Sequence, residues 1–395
     1  MHFIPWIEPK LFIGSGSVLK LPQLMKEKGL QRILIVTDKS LMMINMLDEL
    51  FEALEKAGID YFVYDSVQPN PTFENIEDAK QMYLDNNCQC LVAFGGGSPM
   101  DCAKATSAKI SRPDRPLEKM SGTFRVLLPS LKMTSILPPA LWAIPTTAGT
   151  GSETTVAAVV SDPTTHKKFP INDPVIRPRY AFLDPDLTKT LPKGMTSTTG
   201  MDALTHAVEA YIGRSNTKDT ALKAKMAVKM IYENIETAYN DGNNIEARSQ
   251  MLLASYYAGC AFTRAYVGYV HAIAHNLGGF YGIPHGLANA VIMPYVLEWY
   301  GECIHKRLAQ LAECAGVSNP EFTDGQNAKA FIDSIKELNK KMDIGDHFPE
   351  IQEKDIETIV IRAFKEAHPN YPVPKIMNKE DCISVIRQIM SSNQM

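Results

Sequence analysis

Cysteine, surplus positive charge and long apolar runs are scarce in this chain, and each shortage removes a class of function. Its seven cysteines are odd in number and contain no C-x-x-C pair; the closest, Cys88 and Cys90, are two apart in an apolar run. A disulfide framework is thereby excluded, and a reducing cytoplasm is the expected compartment. Forty basic residues against forty-four acidic ones leave a formal charge of −4. Phosphate-backbone binding needs a concentrated positive footprint, so no nucleic-acid partner is expected. The most apolar stretch, MLLASYYAGCAF, ends at Arg264 after about a dozen residues, where a span needs about 20. The opening MHFIPWIEPK lacks the basic start and apolar core of a secretion signal, so neither membrane nor export is expected. Fixed-period repeats and a G-x-G-x-x-G fingerprint are missing too.

What is present has the grammar of an ordinary globular protein, 45% apolar and 21% charged over 395 residues, long enough for two domains. The first half alternates strand and helix signals. RILIVTD (32–38), DYFVYD (60–65), CQCLVAFGGG (88–97), LWAIP (141–145) and YAFLD (180–184) read as strands. INMLDELFEALEKAG (44–58), ENIEDAKQMYLDNN (74–87) and a segment from Pro99 read as helices between them. That alternation predicts an α/β domain with a mostly parallel, doubly wound sheet, its ligand at the carboxyl ends of the strands. Strand signals fade after Pro192, and Ala-, Leu-, Met- and Lys-rich segments predict an all-helical domain. The Pro- and Lys-rich link at 184–194 sets the expected boundary, giving domains 1–188 and 189–395, with chemistry expected in a cleft between them.

Two small-residue turns follow strands in the first half. In LVAFGGGSPMDCAK, Gly95, Gly96 and Gly97 would present bare backbone N–H groups and a helix N-terminus to a pyrophosphate. Ser98 is expected as the helix N-cap, with Pro99 at the first helical position and Asp101 as a capping-box carboxylate. In PTTAGTGSET, the hydroxyls of Thr146, Thr147 and Thr150 suit phosphate or nicotinamide groups. A tight turn and a polar loop are the plain alternatives. Asp38, closing the first strand signal, can accept from a ribose 2′-hydroxyl and repel a 2′-phosphate, which favours NAD; otherwise it caps a helix.

The chain has nine histidines, and three of them fall in YVHAIAHNLGGFYGIPHG (269–286). His271 and His275 are one helical turn apart, while His285 follows a Gly-Gly break and a proline. Metal ligand, general base and core histidine are all open readings at this point. Upstream, Asp202, His206 and Glu209 form an i, i+4, i+7 polar stripe on an otherwise apolar helix. Buried polar groups need partners, and a divalent cation serves the two stripes together.

Taken in order, GGGSPMD, PTTAGTGSE, GMDALTHAVEAY and GYVHAIAHNLGGFYGIPHG resemble the iron-containing, or group III, alcohol dehydrogenase family, a resemblance that begins at IVTDKSL and PNPT. It implies a dinucleotide-binding α/β domain and an all-α metal domain, related to glycerol dehydrogenases and dehydroquinate synthases. It assigns Asp202, His206, His271 and His285 as metal ligands, with His275 catalytic, near the reacting centre but off the metal. Asp38, Asn70, Gly97, Ser98, Thr146, Thr147, Thr150 and Lys168 become cofactor residues. Arg264 stands where many members carry Asn, and Ala157 where diol-oxidising members carry a polar pocket residue.

The expectation is therefore an NAD-dependent enzyme that reversibly oxidises a small primary alcohol or diol to its aldehyde. Fe²⁺ is the expected metal, with Zn²⁺ the alternative, and a homodimer or larger homo-oligomer the expected assembly. A dehydroquinate-synthase-like lyase and a non-catalytic NAD-binding module are the rival readings.

Overall fold

The computed structural model describes residues 8–120, 139–161, 168–173 and 176–390. The chain forms two compact units, Met1–Thr147 with Gly151–Thr188, and Ala148–Thr150 with Lys189–Met395.

Unit one contains β1 (Lys10–Ile13), α1 (Leu21–Glu27), β2 (Arg32–Val36), α2 (Lys39–Met43), α3 (Asp48–Ala57), β3 (Asp60–Tyr64), α4 (Phe73–Asp85), β4 (Cys90–Gly95), α5 (Gly97–Ser111), β5 (Ala140–Pro145), β6 (Ala157–Ser161), β7 (Lys168–Asn172) and β8 (Tyr180–Leu183). Six strands pair in the order β1-β8-β5-β4-β2-β3, every pair parallel. Alternate residues point to opposite faces, and both faces are buried. Leu34, Val36, Leu91 and Ala93 enter one core cluster, while Ile33, Ile35, Val92 and Phe94 enter the other. This two-sided burial is why the strands read as unbroken apolar runs rather than alternating ones.

Four elements differ from the sequence expectation. The short half-exposed strand β1 was not expected, nor was the antiparallel pair β6–β7. The helix expected over 44–58 begins only at Asp48, because Asn45 takes a left-handed conformation (φ 56°) that ends α2; its C-cap is Gly58, at φ 67°.

Unit two is helical among its described residues. It comprises α6 (Lys193–Ile212), α7 (Lys218–Asn240), α8 (Ile245–Ala265), α9 (Tyr269–Tyr281), α10 (His285–Tyr300), α11 (His305–Ala315), α12 (Asp324–Lys341), α13 (Glu353–Ala367) and α14 (Lys379–Gln388). Thr217 and Thr323 open α7 and α12 with reciprocal capping boxes. From Gly200 to Ile212, α6 is buried on every side, which suits its all-round small and apolar sequence. Ala148–Thr150 belongs here because Gly149 lies against α6; a Cβ on it would stand 2.5 Å from the Thr199 carbonyl oxygen. Among the described residues no helix is long and apolar enough to cross a membrane.

Candidate active site

In unit one the chain winds from β2 outward to β3, then returns past β2 to β4 and continues to β5 on the other side. Strand order therefore reverses between β2 and β4, and the loops leaving their carboxyl ends diverge, which opens a crevice there. Asp38 follows β2, and the triple glycine joins the end of β4 to the start of α5. Gly95 has φ 145°, and a Cβ on it would lie 2.6 Å from Pro99 Cγ, so this position excludes a side chain twice over.

The N-cap of α5 is Gly96, with no side-chain cap, so Ser98 does not cap it, and Pro99 is the third helical residue rather than the first. The extended glycine itself turns the chain into the helix. Ser98 Oγ instead accepts from the Asn70 N–H at 3.2 Å, and Asn70 is left-handed at φ 59°. Asp101 is not a capping-box carboxylate either: it accepts from Ser152 Oγ at 3.0 Å and Val159 N–H at 2.9 Å, buried beside Lys104. The first-turn amides of α5 thus keep no side-chain cap of their own, which leaves an anion-binding helix end.

Thr146 N–H donates to the Gly95 carbonyl at 3.1 Å and joins the two turns. Thr147 Oγ1 is buried with no hydrogen-bond partner among the described residues, and it lies 3.4 Å from where a Gly96 Cβ would be. A backbone without side chains, an uncapped helix end and an orphaned hydroxyl together fit a dinucleotide pyrophosphate. Asp38 caps α2, its Oδ1 accepting from Ser40 and Leu41 N–H at 2.9 and 3.2 Å. Thr150 lies in unit two. Lys168 begins β7, and its side chain is outside the described residues.

In unit two, α6 carries Asp202, His206 and Glu209, α9 carries His271 and His275, and His285 is the first residue of α10. The expected Gly-Gly break is absent: α9 continues through Gly278 and Gly279 and stops at Gly282, left-handed at φ 69°. Gly286 seats α10 against α6, since a Cβ there would stand 2.3 Å from the Thr198 carbonyl oxygen. One ligand atom from each of Asp202, His206, His271 and His285 lies within 4.8 Å of the others. Asp202 Oδ1 is 4.0, 3.8 and 3.5 Å from Nε2 of His206, His271 and His285. His206 stacks between Phe262 and His271, with centroids 4.1 and 4.5 Å away.

Burial pushes His206 down to about 3 and His271 well below the ordinary histidine range, so both rings are neutral and hold a lone pair for a cation. Burial also raises Asp202, against the pull of His285 and Asn289. A buried carboxylate, two buried imidazoles and the half-exposed ring of His285 fit a divalent ion of nitrogen and oxygen preference.

His275 stands outside this group of four. It stacks on His285 at 4.9 Å, and its Nδ1 lies 2.7 Å from Glu366 Oε1, which also accepts from the Tyr371 hydroxyl at 2.6 Å. Two residues without an assigned role in the sequence reading join the site. Asn289, fully buried, places Nδ2 2.7 Å from Asp202 Oδ1, 3.1 Å from His285 Nε2 and 3.3 Å from His271 Nε2; its i+4 spacing from His285 was the available signal. Glu209, read only as part of a stripe, lies 2.6 Å from His271 Nδ1.

Two family profiles match this chain in succession, iron-containing alcohol dehydrogenase over residues 8–185 and the C-terminal part of the Fe-containing alcohol dehydrogenase family over residues 196–390. The chain belongs to the iron-containing alcohol dehydrogenases. Among relatives in that family, the NAD-dependent methanol dehydrogenase of Bacillus methanolicus is 34% identical over 98% of this chain and 99% of its own. The NADPH-dependent butanol dehydrogenase of Clostridium saccharobutylicum is 34% identical over 94% of each. A crystal structure of 1,3-propanediol oxidoreductase superposes with a TM-score of 0.91 at 32% identity, over 98% of this chain and all of that one.

Arg264, in the last turn of α8, pairs with Asp219 at 2.6 Å, and the Ala157 main-chain carbonyl accepts from Lys104 at 2.9 Å. Of the remaining histidines, His368 bonds the Tyr269 hydroxyl and His347 pairs with Asp346.

Proposed function

We propose that this chain is an NAD-linked, iron-dependent alcohol dehydrogenase acting reversibly on small primary alcohols or diols and their aldehydes. The observation that carries the proposal is the convergence of one buried carboxylate and three imidazoles on a common centre. Asp202, His206, His271 and His285 would hold Fe²⁺, with Zn²⁺ as the alternative ion. When bound, the ion supplies Lewis acidity to an alcohol or carbonyl oxygen, and the nicotinamide takes or returns the hydride. The neutral rings of His206 and His271 would offer lone pairs without first losing a proton, and Asp202 would lower the charge of the centre by one. His275, held by Glu366 and exposed on one side, would orient substrate or pass on its hydroxyl proton.

The dinucleotide would lie on Gly96, Gly97 and Ser98, with Asn70, Thr146, Thr147, Thr150 and Lys168 completing its contacts. Relatives are named for either NAD or NADPH, so the choice rests on local residues. Asp38 favours NAD, since its cap uses Oδ1 for both bonds while the carboxylate remains at the strand end. A reducing cytoplasm suits seven cysteines of which none forms a disulfide. A homo-oligomer is consistent with the edge strands β1 and β3, each paired on one side only among the described residues.

An anaerobic assay of short alcohols and aldehydes with NAD(H), after reconstitution with Fe²⁺ or Zn²⁺, tests the reading. Net NADH from a primary alcohol is expected with metal and not without it. Metal-loaded protein that binds NAD but oxidises no alcohol would refute it in favour of a lyase or a binding module.

A further inference from the structure

Glu209 is 3% exposed, and three nitrogen atoms surround its carboxylate. Oε1 accepts from the Val270 N–H at 2.8 Å, and Oε2 accepts from the Gly268 N–H at 2.8 Å and lies 2.6 Å from His271 Nδ1. Two of these partners are backbone amides, which can only donate, so each carboxylate oxygen already serves as an acceptor. A His271 Nδ1–H directed at that carboxylate leaves the lone pair on Nε2, the atom that faces Asp202. The same carboxylate grips the turn from α8 to α9. In that turn Tyr266 takes φ 64° and ψ −179°, a conformation costly for any residue but glycine. Gly268 is glycine for a related reason, because a Cβ there would stand 2.7 Å from Glu209 Oε1.

We propose that Glu209 is a positioning residue for the metal centre: it fixes the tautomer and rotation of His271 and holds the N-terminus of α9 that carries it. The inference rests on the metal-centre reading above. A carboxylate behind a ligand imidazole orients the ring and increases its basicity, and losing such a partner typically weakens metal binding roughly 10- to 100-fold. Glutamine cannot replace it. With its oxygen toward Val270, its NH₂ meets Gly268 N–H and His271 Nδ1–H; turned the other way, it meets Val270 N–H. The first arrangement is relieved when the His271 proton moves to Nε2, which removes the lone pair a metal needs.

Cobalt(II) is the probe, read by chelator competition and by its visible ligand-field spectrum on the full chain. Glu209→Gln is expected to bind Co²⁺ roughly 10- to 100-fold more weakly than the parent, with a shifted spectrum, while near-ultraviolet circular dichroism and NAD affinity stay at parental values. Gly268→Ala keeps every polar partner and only crowds Oε1, so it is expected to shift the spectrum in the same direction with a smaller loss of affinity. Parental affinity and spectrum in Glu209→Gln overturn the proposal. If that variant does not fold, a folded Gly268→Ala protein with parental Co²⁺ binding overturns it instead. A parent that binds no Co²⁺ refutes the metal centre itself, a distinguishable result.

Discussion

At the scale of single residues, the site separates side chains with similar sequence contexts. His271 and His275 share a helix face, yet one converges on Asp202 while the other is drawn to Glu366. His285→Ala is expected to lose metal and activity together. His275→Ala should keep its metal and lose roughly 10²- to 10⁴-fold in kcat, the range for a general acid or base. Metal analysis of the purified variants decides between them, and a metal-free His275→Ala protein contradicts the division. Asp38→Gly should shift the NADP:NAD preference by about 1–3 kcal/mol through loss of like-charge repulsion and of one hydrogen bond. Glycine is a fair N-cap, so the helix loses only a few tenths of a kcal/mol. Steady-state kcat/KM with both dinucleotides measures the shift; an unchanged ratio removes Asp38 from the cofactor site.

At the scale of elements, the turn after β4 carries the cofactor prediction. Gly96→Val would put methyl groups beyond a Cβ position already 3.4 Å from Thr147. NAD affinity is expected to fall at least about tenfold, or 1.4 kcal/mol, with normal metal content. Calorimetric titration checks this, and a folded variant with parental NAD affinity places the cradle elsewhere. The sheet's inner strands were legible as unbroken apolar runs because both of their faces are buried, and the amphipathic helices because one-sided burial imposes a period of 3.6. Strand β1 is four residues, exposed at both ends, and β6 and β7 are five residues each, so none is long enough to leave such a pattern. Ser98 and Asp101 were misread because capping preferences are local, whereas their partners, Asn70 and Val159, come from distant chain. The cluster of four owed its assignment to family resemblance, since spacing treats His271 and His275 alike. Asn289 and Glu209 were visible as i+4 and i+7 positions, but only packing reveals what they touch.

At the scale of the whole molecule, buried ionisable groups outside the metal cluster link stability to pH. Burial raises Glu153 to about 7, and in the same unit it lowers Lys104 to about 8. An acid raised on folding keeps its proton longer in the folded state than in the unfolded one. Its contribution is therefore complete below the ordinary glutamate range and lost as pH rises through about 7. Between pH 5 and pH 8 the parental Tm is expected to fall by several degrees more than that of Glu153→Gln, which cannot ionise. Equal falls in scanning calorimetry would show that Glu153 is not the group responsible.

Asp202 and His285 belong to the same cluster although α7, α8 and α9 intervene between them in the chain. An ion joining them closes that long loop and restricts the unfolded chain as a cross-link does, worth on the order of 4 kcal/mol by the statistics of a comparable disulfide loop. Chelation should therefore act as the cutting of a staple. The expected result is a lower Tm and proteolytic nicking in the turns around α9, both reversed when the ion is returned.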